Sequence, residues 1–231
     1  SLAGTLNIIG GNGGKMIGNY GTVAASHAWT GSAINLNATD VNVVLHSGTY
    51  TKNSSNVISP VILISTNGGT ITMKDGVVVG DETPLTTCNL GLVAIYGAEG
   101  KPGVFNMEGG KVYGANNTHA SRKASGFDLY SAYAVLNMTG GKVYGAANNT
   151  DDLPIYFGGG CAAEVNIGAN ATVGANASGV SFDGGWTGSG TFEMNVAGTV
   201  EGVWKLNNIT GNSIDMKVTG QAKFPAGIHI S

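Results

Sequence analysis

Short stretches in which apolar and polar residues alternate recur along the whole chain. Two of them, residues 105–114 (FNMEGGKVYG) and 136–145 (LNMTGGKVYG), are near-copies of one another. Alternation with a period of two predicts a strand with one buried face, and near-copies predict a repeat architecture. We take the second apolar residue of each copy as an anchor, and successive anchors lie 22 to 37 residues apart. The anchors are Ile8, Leu45, Met73, Met107, Met138, Ile167, Met194 and Met216.

Each repeat is predicted to contain two or three short strands. The first strand ends at a glycine corner such as Gly109–Gly110, where backbone with positive φ costs little. In the second strand, Val112 and Val143 are predicted to point inward. Their neighbours are predicted to point outward, namely Lys111, Tyr113, Lys142 and Tyr144. A third apolar stretch closes most repeats, represented by residues 92–96 and 155–157, Phe182 and Trp204.

The spacing of the anchors indicates the architecture. No window shows apolar residues sustained at helical spacing, and a propeller blade of roughly 40 residues is longer than these repeats. A parallel β-helix keeps the strand position fixed and allows loops of any length at its corners. The sequence therefore predicts an all-β fold, a parallel β-helix of about eight coils, with a spacing of about 4.8 Å between coils.

The alternating strand, the Gly-Gly corner and the variable repeat length together resemble the right-handed parallel β-helix of the pectin-lyase-like superfamily. The N-M-x-G-G-x-V-x-G pattern is similar to repeats in large surface proteins of gut-type Gram-positive bacteria. The resemblance covers nearly the whole chain and carries no catalytic motif with it. It implies a single-stranded, right-handed β-helix that belongs to a longer bacterial surface or secreted protein.

Composition narrows the function classes. The unbroken repeat predicts a single domain over residues 1–231. Only 11% of residues are charged, the net charge is −3, and Arg122 is the single arginine, so nucleic-acid binding has little support. No apolar run reaches the roughly 18 residues of a membrane span, and no signal peptide is recognised, which indicates a trimmed or excised module. The composition favours an extracellular or cell-surface location, and no cofactor is expected.

Neither the cysteines nor the histidines predict a special site. Cys88 and Cys161 lie two repeats apart, about 9.6 Å by strand spacing, which exceeds the roughly 7 Å Cα separation of a disulfide. They are therefore predicted not to be bonded to each other. The histidines lack the close spacing of metal ligands, so no metal site is predicted. They are His27, His46, His119 and His229.

Five tyrosines are the candidate ligand-binding residues. Tyr96, Tyr130 and Tyr156 each follow an apolar residue in the third strand of three successive repeats, and Tyr113 and Tyr144 share one position in neighbouring repeats. Stacked outward rings could lie under the pyranose rings of a glycan, since tyrosine has an apolar body and a polar tip. The alternative is that the rings stack because the repeat recurs, and only stabilise the rod.

Acidic residues support a competing interpretation, an enzyme. Enzymes of the resembled superfamily that cleave acidic polysaccharides use clustered carboxylates. Glu193 and Asp215 are predicted to be neighbours about 5 Å apart on first strands. The other acidic candidates are predicted to form no stacked set, namely Asp81, Glu82, Asp128, Asp151, Asp152 and Asp183. No catalytic residue is therefore assigned.

Asn106, Asn137 and Asn166 occupy one position in three consecutive repeats. Side-chain amides at strand spacing can hydrogen-bond along the axis, so these residues predict a structural ladder on the outer face. The favoured function is a non-enzymatic, adhesin-like module that binds a glycan or a host or cell-surface protein. A passive stalk is one alternative, and a polysaccharide lyase or glycoside hydrolase is the other.

Overall fold

The computed structural model describes residues 4–10, 14–18, 32–52, 60–81, 91–114, 125–146, 153–157, 163–183, 190–206 and 212–230. These residues form twenty β-strands and no helix, which confirms the predicted all-β class. In chain order the strands are β1 (Gly4–Ile9), β2 (Lys15–Gly18), β3 (Ile34–Leu36), β4 (Val41–Lys52), β5 (Ile62–Ile64), β6 (Gly69–Met73), β7 (Val77–Val79), β8 (Val93–Ile95), β9 (Gly103–Met107), β10 (Lys111–Val112), β11 (Phe127–Leu129), β12 (Ala134–Val143), β13 (Ile155–Phe157), β14 (Glu164–Val173), β15 (Val180–Asp183), β16 (Gly190–Val196), β17 (Thr199–Val200), β18 (Val203–Leu206), β19 (Asn212–Val218) and β20 (Ile228–Ile230).

Parallel pairing between successive repeats organises these strands into sheets. The first strands form one parallel run in the order β1, β4, β6, β9, β12, β14, β16 and β19. The short strands β2, β7, β10 and β17 extend the same sheet beside the second halves of β4, β12 and β14. The third strands form two further sheets, β3-β5-β8-β11-β13 and β15-β18-β20. This arrangement is compatible with a parallel β-solenoid.

The register confirms the predicted anchors over most of the chain. The following anchors lie opposite one another in successive strands: Ile8, Leu45, Met73, Met107, Met138 and Ile167. Beyond Ile167 the prediction is wrong by two residues, because Ile167 pairs with Val196 while Met194 pairs with Val165. Met216 pairs with Met194 and shares this offset. A shift of two residues preserves the alternation of inward and outward side chains, so the pattern alone does not distinguish the two registers.

The inward side chains form one hydrophobic core. Met73, Met107 and Met194 are fully buried in it, and burial of one such side chain is worth about 1.5–3 kcal/mol. Ile8 and Met216 are only partly buried. They lie on β1 and β19, the first and last strands of the parallel run, each of which pairs with one other strand of the run among the described residues.

The second strands follow the prediction with one exception. Val112 and Val143 are fully buried, while Lys111 is exposed and Tyr144 is partly exposed. The prediction that Tyr113 points into solvent is wrong, because this residue is only 8% exposed. Its backbone N–H donates to the carbonyl that ends β7 at 2.9 Å, so the residue continues the parallel pairing beyond β10.

Candidate ligand-binding site

A row of polar and aromatic side chains follows the third strands. Asn37, Ser65, Tyr96 and Tyr130 come directly after β3, β5, β8 and β11, respectively. The backbone N–H groups of Ser65, Tyr96 and Tyr130 each donate to the carbonyl that ends the preceding third strand, at 2.8–2.9 Å. Parallel pairing therefore continues through these positions and holds the side chains in line. We call these four residues the Tyr96 row.

The two tyrosines of the Tyr96 row stack face to face. Their ring centroids lie 5.1 Å apart and their planes differ by 9°, and both residues are partly exposed. The ring spacing is close to the spacing of parallel strands, about 4.8 Å, so the backbone register sets the stack. The prediction that these two positions align is confirmed.

Tyr156 does not join the Tyr96 row, and the prediction that it occupies the equivalent position is wrong. Tyr156 pairs with Asp128, while Phe157 lies opposite Leu129. Tyr156 therefore lies one residue before the position that would align it with Tyr130. Tyr130 follows the last residue of β11, whereas Tyr156 precedes the last residue of β13. A tyrosine next to an apolar residue in the sequence therefore does not show whether the tyrosine lies inside the strand or just after it.

A groove of about 350 Å³ opens beside the Tyr96 row. Its lining consists of Asn35, Asn37, Leu63, Ser65, Thr66, Asn67 and Tyr96. Asn37 Oδ1 accepts hydrogen bonds from the Ser65 hydroxyl and from Asn67 Nδ2, the latter at 2.8 Å. These bonds fix the amide groups at the mouth of the groove. An aromatic ring beside fixed amides and hydroxyls is a combination suited to a ligand with a flat apolar face and hydroxyl edges.

Sequence reasoning missed the polar residues of this groove. Asn35 and Asn37 flank the end of β3, and Ser65 and Asn67 follow β5 in the next repeat. In the sequence they are ordinary corner residues of an asparagine-rich chain. The sequence did contain one indication of this site. Asn37 and Ser65 each come directly after a third strand, as Tyr96 does.

The second tyrosine pair offers less free ring surface. Tyr113 and Tyr144 stack with centroids 4.8 Å apart and planes at 16°. Tyr113 is buried, and Lys142 Nζ lies 4.9 Å from the centroid of the Tyr144 ring. The cation and the neighbouring ring both engage Tyr144, so this pair is primarily a packing feature.

Three carboxylates share one position in adjacent first strands. Glu193 lies opposite Asp215, which confirms the predicted neighbours. Glu164 lies opposite Glu193 on its other side, and sequence reasoning missed it because the anchor register was wrong by two residues there. Glu164 Oε1 accepts a hydrogen bond from Asn166 Nδ2 at 2.7 Å. Glu193 and Asp215 are exposed.

Among the described residues, the remaining acidic and histidine candidates form no common cluster. Asp128 is fully buried in β11, where its Oδ2 accepts from the Gly91 backbone N–H at 3.4 Å. His46 Nε2 lies 2.9 Å from Asn7 Oδ1. Within the described ranges, no group of three or more His, Cys, Asp or Glu side chains is arranged to hold a metal ion. The following candidates lie outside the described residues: His27, Glu82, Cys88, His119, Arg122, Asp151, Asp152 and Cys161.

The asparagine ladder is confirmed and is longer than predicted. Asn137 Nδ2 donates to Asn106 Oδ1 at 2.9 Å, and Asn166 Nδ2 donates to Asn137 Oδ1 at 2.8 Å. Asn195 continues the series with a bond of 2.7 Å to Asn166 Oδ1. The structure places Asn195, and not Glu193, in this column.

Asn137→Ala is expected to lower the free energy of unfolding by about 1–3 kcal/mol, because it removes one partner from Asn106 and one from Asn166. Chemical denaturation followed by far-UV circular dichroism measures the loss. Asn195→Ala is the control, since this exposed residue makes its amide bond at the end of the ladder. A loss at Asn195 as large as that at Asn137 would show that the ladder does not stabilise the protein as a continuous series.

Comparison with protein-family models, curated proteins and solved structures found no match for this chain. In the part of the chain that the structure describes, no helix is long and apolar enough to cross a membrane. The geometry of the sheets and of the groove is therefore the basis for the functional argument.

Proposed function

We propose that the chain is a non-enzymatic binding module of a bacterial surface or secreted protein, and that its ligand is a neutral glycan. The observation that carries this proposal is the stacked pair Tyr96 and Tyr130 beside a groove with fixed amides and hydroxyls. Extracellular or cell-surface location and an adhesin-like role belong to the same proposal. They rest on the low charge and on the resemblance of the repeat.

The proposed fold is a single right-handed parallel β-helix of about eight coils, similar to the pectin-lyase-like superfamily. The parallel run from β1 to β19 supports it, since the strands of this run come from successive repeats. Third strands that stack in the same order, from β3 to β13, also support it. A rigid rod of this kind holds the Tyr96 row in a straight line along one sheet.

The chemistry of the groove favours a neutral sugar over a charged one. None of its seven lining side chains carries a formal charge. Asparagine amides provide both donors and acceptors, and the serine and threonine hydroxyls do the same, which matches vicinal sugar hydroxyls. The exposed part of the tyrosine pair provides an apolar surface for a pyranose ring.

The test is a glycan array probed with the purified chain, followed by calorimetric titration of the best oligosaccharide. Tyr96→Ala is expected to weaken binding by about tenfold or more, equivalent to about 1.4 kcal/mol. Tyr144→Ala is the matched control, because it removes a stacked tyrosine from a different sheet and should leave the affinity unchanged. Absence of any bound glycan, or equal affinity of wild type and Tyr96→Ala, would contradict the proposal.

The stacked carboxylates favour a second candidate function, a polysaccharide-cleaving enzyme. Neighbouring parallel strands lie about 4.8 Å apart, close to the roughly 5–5.5 Å between the carboxylates of a retaining glycosidase. However, Glu193 and Asp215 are exposed near the end of the parallel run, where water reaches both carboxylates. The carboxylic acid that protonates a leaving group in such enzymes lies in a site from which water is excluded.

We therefore expect no turnover of pectate, alginate or neutral plant glycans, with or without calcium. Reducing ends and unsaturated products are the quantities to measure. If the wild type forms these products and Glu193→Gln does not, the binding proposal is wrong and the chain is an enzyme.

A further inference from the structure

A third exposed tyrosine lies in the turn that follows the stacked pair. Tyr133 is 41% exposed and lies between β11 and β12, three residues after Tyr130. The Tyr133 N–H donates to Ser131 Oγ at 3.2 Å, and the Ala134 N–H donates to the Ser131 carbonyl at 3.1 Å. The Tyr133 carbonyl accepts from the Gly103 N–H of the preceding repeat at 3.1 Å. These bonds hold the backbone of Tyr133 at the corner of the sheet.

Tyr133 also lies close to the other tyrosine of the pair. Gly97 follows Tyr96 directly, and a Cβ atom at Gly97 would lie 3.1 Å from Tyr133 Cβ and 2.7 Å from the Tyr133 carbonyl oxygen. Tyr133 therefore packs on backbone that has no side chain, next to Tyr96. A single exposed apolar residue is ordinary, but several grouped at one place mark an interaction site more often. Here three tyrosines are grouped at one corner.

The Tyr96 row is longer than one sugar ring. Its four residues come from successive repeats, so the row spans three strand intervals, about 14 Å by strand spacing. The groove lies at the end with Asn37 and Ser65, and Tyr133 lies at the end with Tyr130. A pyranose ring is similar in size to one tyrosine ring. A ligand that contacts both ends of the row must therefore be a chain of several sugars.

The row is also straight, because the register of the third strands sets it. Glucose units joined by β-1,4 bonds have equatorial linkages and form an extended ribbon, in which each unit advances by about one ring width. That advance is similar to the strand spacing of about 4.8 Å, so successive units can lie over successive repeats. Glucose units joined by α-1,4 bonds have an axial linkage, and their chain curves away from a straight row.

We propose that the Tyr96 row binds a straight, β-1,4-linked neutral oligosaccharide of about four units, one for each repeat of the row, and that Tyr133 binds the last unit. This inference rests on the proposed function and names the class of glycan. Hydroxyls at one end of the oligosaccharide meet the amide of Asn37 and the hydroxyl of Ser65. Its middle units lie against the stacked pair, and its other end lies against the Tyr133 ring.

The test is calorimetric titration of the full chain with cellobiose, cellotetraose and cellohexaose. Cellotetraose is expected to bind the wild type about tenfold or more tightly than cellobiose, and cellohexaose should bind no more tightly than cellotetraose. Maltobiose (maltose) and maltotetraose are the matched controls, because they contain the same sugar in chains of the same length with the other linkage. Their affinities should not rise with length in this way.

Tyr133→Ala is expected to weaken binding of cellotetraose by about fivefold or more and to leave binding of cellobiose unchanged, since the disaccharide is held at the groove. Tyr133→Phe keeps the ring and should bind like the wild type. Tyr96→Ala should weaken binding of both sugars. If circular dichroism shows that Tyr133→Ala is unfolded, Tyr133→Leu replaces it, because leucine removes the ring and keeps apolar bulk.

Three results would overturn this inference and leave the proposed function standing. They are unchanged affinity of Tyr133→Ala for cellotetraose, an equal gain with length in the maltose series, and a glycan array on which the chain binds neutral glycans but no β-1,4-linked chain. A chain that binds no glycan at all would overturn both.

Discussion

Met107→Asp is expected to lower the free energy of unfolding by about 4 kcal/mol or more, a loss associated with an unpaired charge in a core. Met107 is fully buried and lies between Met73 and Met138 in the register. A carboxylate at this position has apolar neighbours above and below it along the run. Denaturation followed by far-UV circular dichroism, as a function of urea concentration, measures the effect.

Two controls separate the charge from the change of shape. Met107→Leu preserves the volume approximately and should cost less than about 1.5 kcal/mol. Glu108→Gln changes the next residue, which points outward and pairs with Lys74, and an exposed ion pair contributes at most about 1 kcal/mol. If Met107→Asp unfolds at the same urea concentration as the wild type, Met107 does not lie in the hydrophobic core between Met73 and Met138.

Gly110→Ala is expected to cost about 2–5 kcal/mol, from roughly 1–2 for the left-handed backbone and roughly 1–3 for steric overlap. The φ of Gly110 is +79°. A Cβ atom there would lie 2.4 Å from the Val77 carbonyl oxygen and 2.7 Å from Met73 Cε. The glycine corner of one repeat thus packs directly on the corner of the repeat before it. Urea denaturation measures the loss.

Gly100→Ala is the matched control for this prediction. Gly100 has a similar φ of +68°, but a Cβ atom there would have no neighbour within 4 Å. It should therefore show the conformational cost alone, about 1–2 kcal/mol. Equal losses at the two positions would mean that the corners do not stack closely.

The sequence predicted the fold most directly where the repeats are nearly identical. Residues 105–114 and 136–145 match position by position, so the pairings of Met107 with Met138 and of Asn106 with Asn137 could be predicted directly. The glycine corners and the buried valines of the second strands follow from the same copies. Identity between repeats removes the ambiguity of register.

At the divergent copies after Ile167, the alternation of apolar and polar residues did not fix the register. Val196 and Met194 are both apolar and both inward, and only the pairing with β14 shows which of them aligns with Ile167. The same uncertainty concealed that Glu164 lies opposite Glu193. At the third strands a one-residue offset misplaced Tyr156, because it lies between two apolar residues of the short strand β13, Ile155 and Phe157.

The candidate site was predicted only in part. The stacked tyrosines could be recognised because aromatic residues are rare in this chain, at 7%. The polar residues of the groove could not be recognised from the sequence, since asparagine and serine occur at most corners. Its residues become a site only when Asn37 and Ser65 are placed in the same row as Tyr96, which requires the register of the third strands.

The most direct test of the account is oxidative cross-linking of adjacent strands, because every argument above depends on the parallel register. In a Cys88→Ser, Cys161→Ser background, Asn166→Cys with Asn195→Cys places two thiols opposite one another on β14 and β16. Paired positions about 4.8 Å apart are within disulfide range, whereas Asn166→Cys with Glu193→Cys is offset by two residues and lies beyond it. We expect a rapid intramolecular disulfide in the first variant and free thiols in the second. The opposite result would contradict the register.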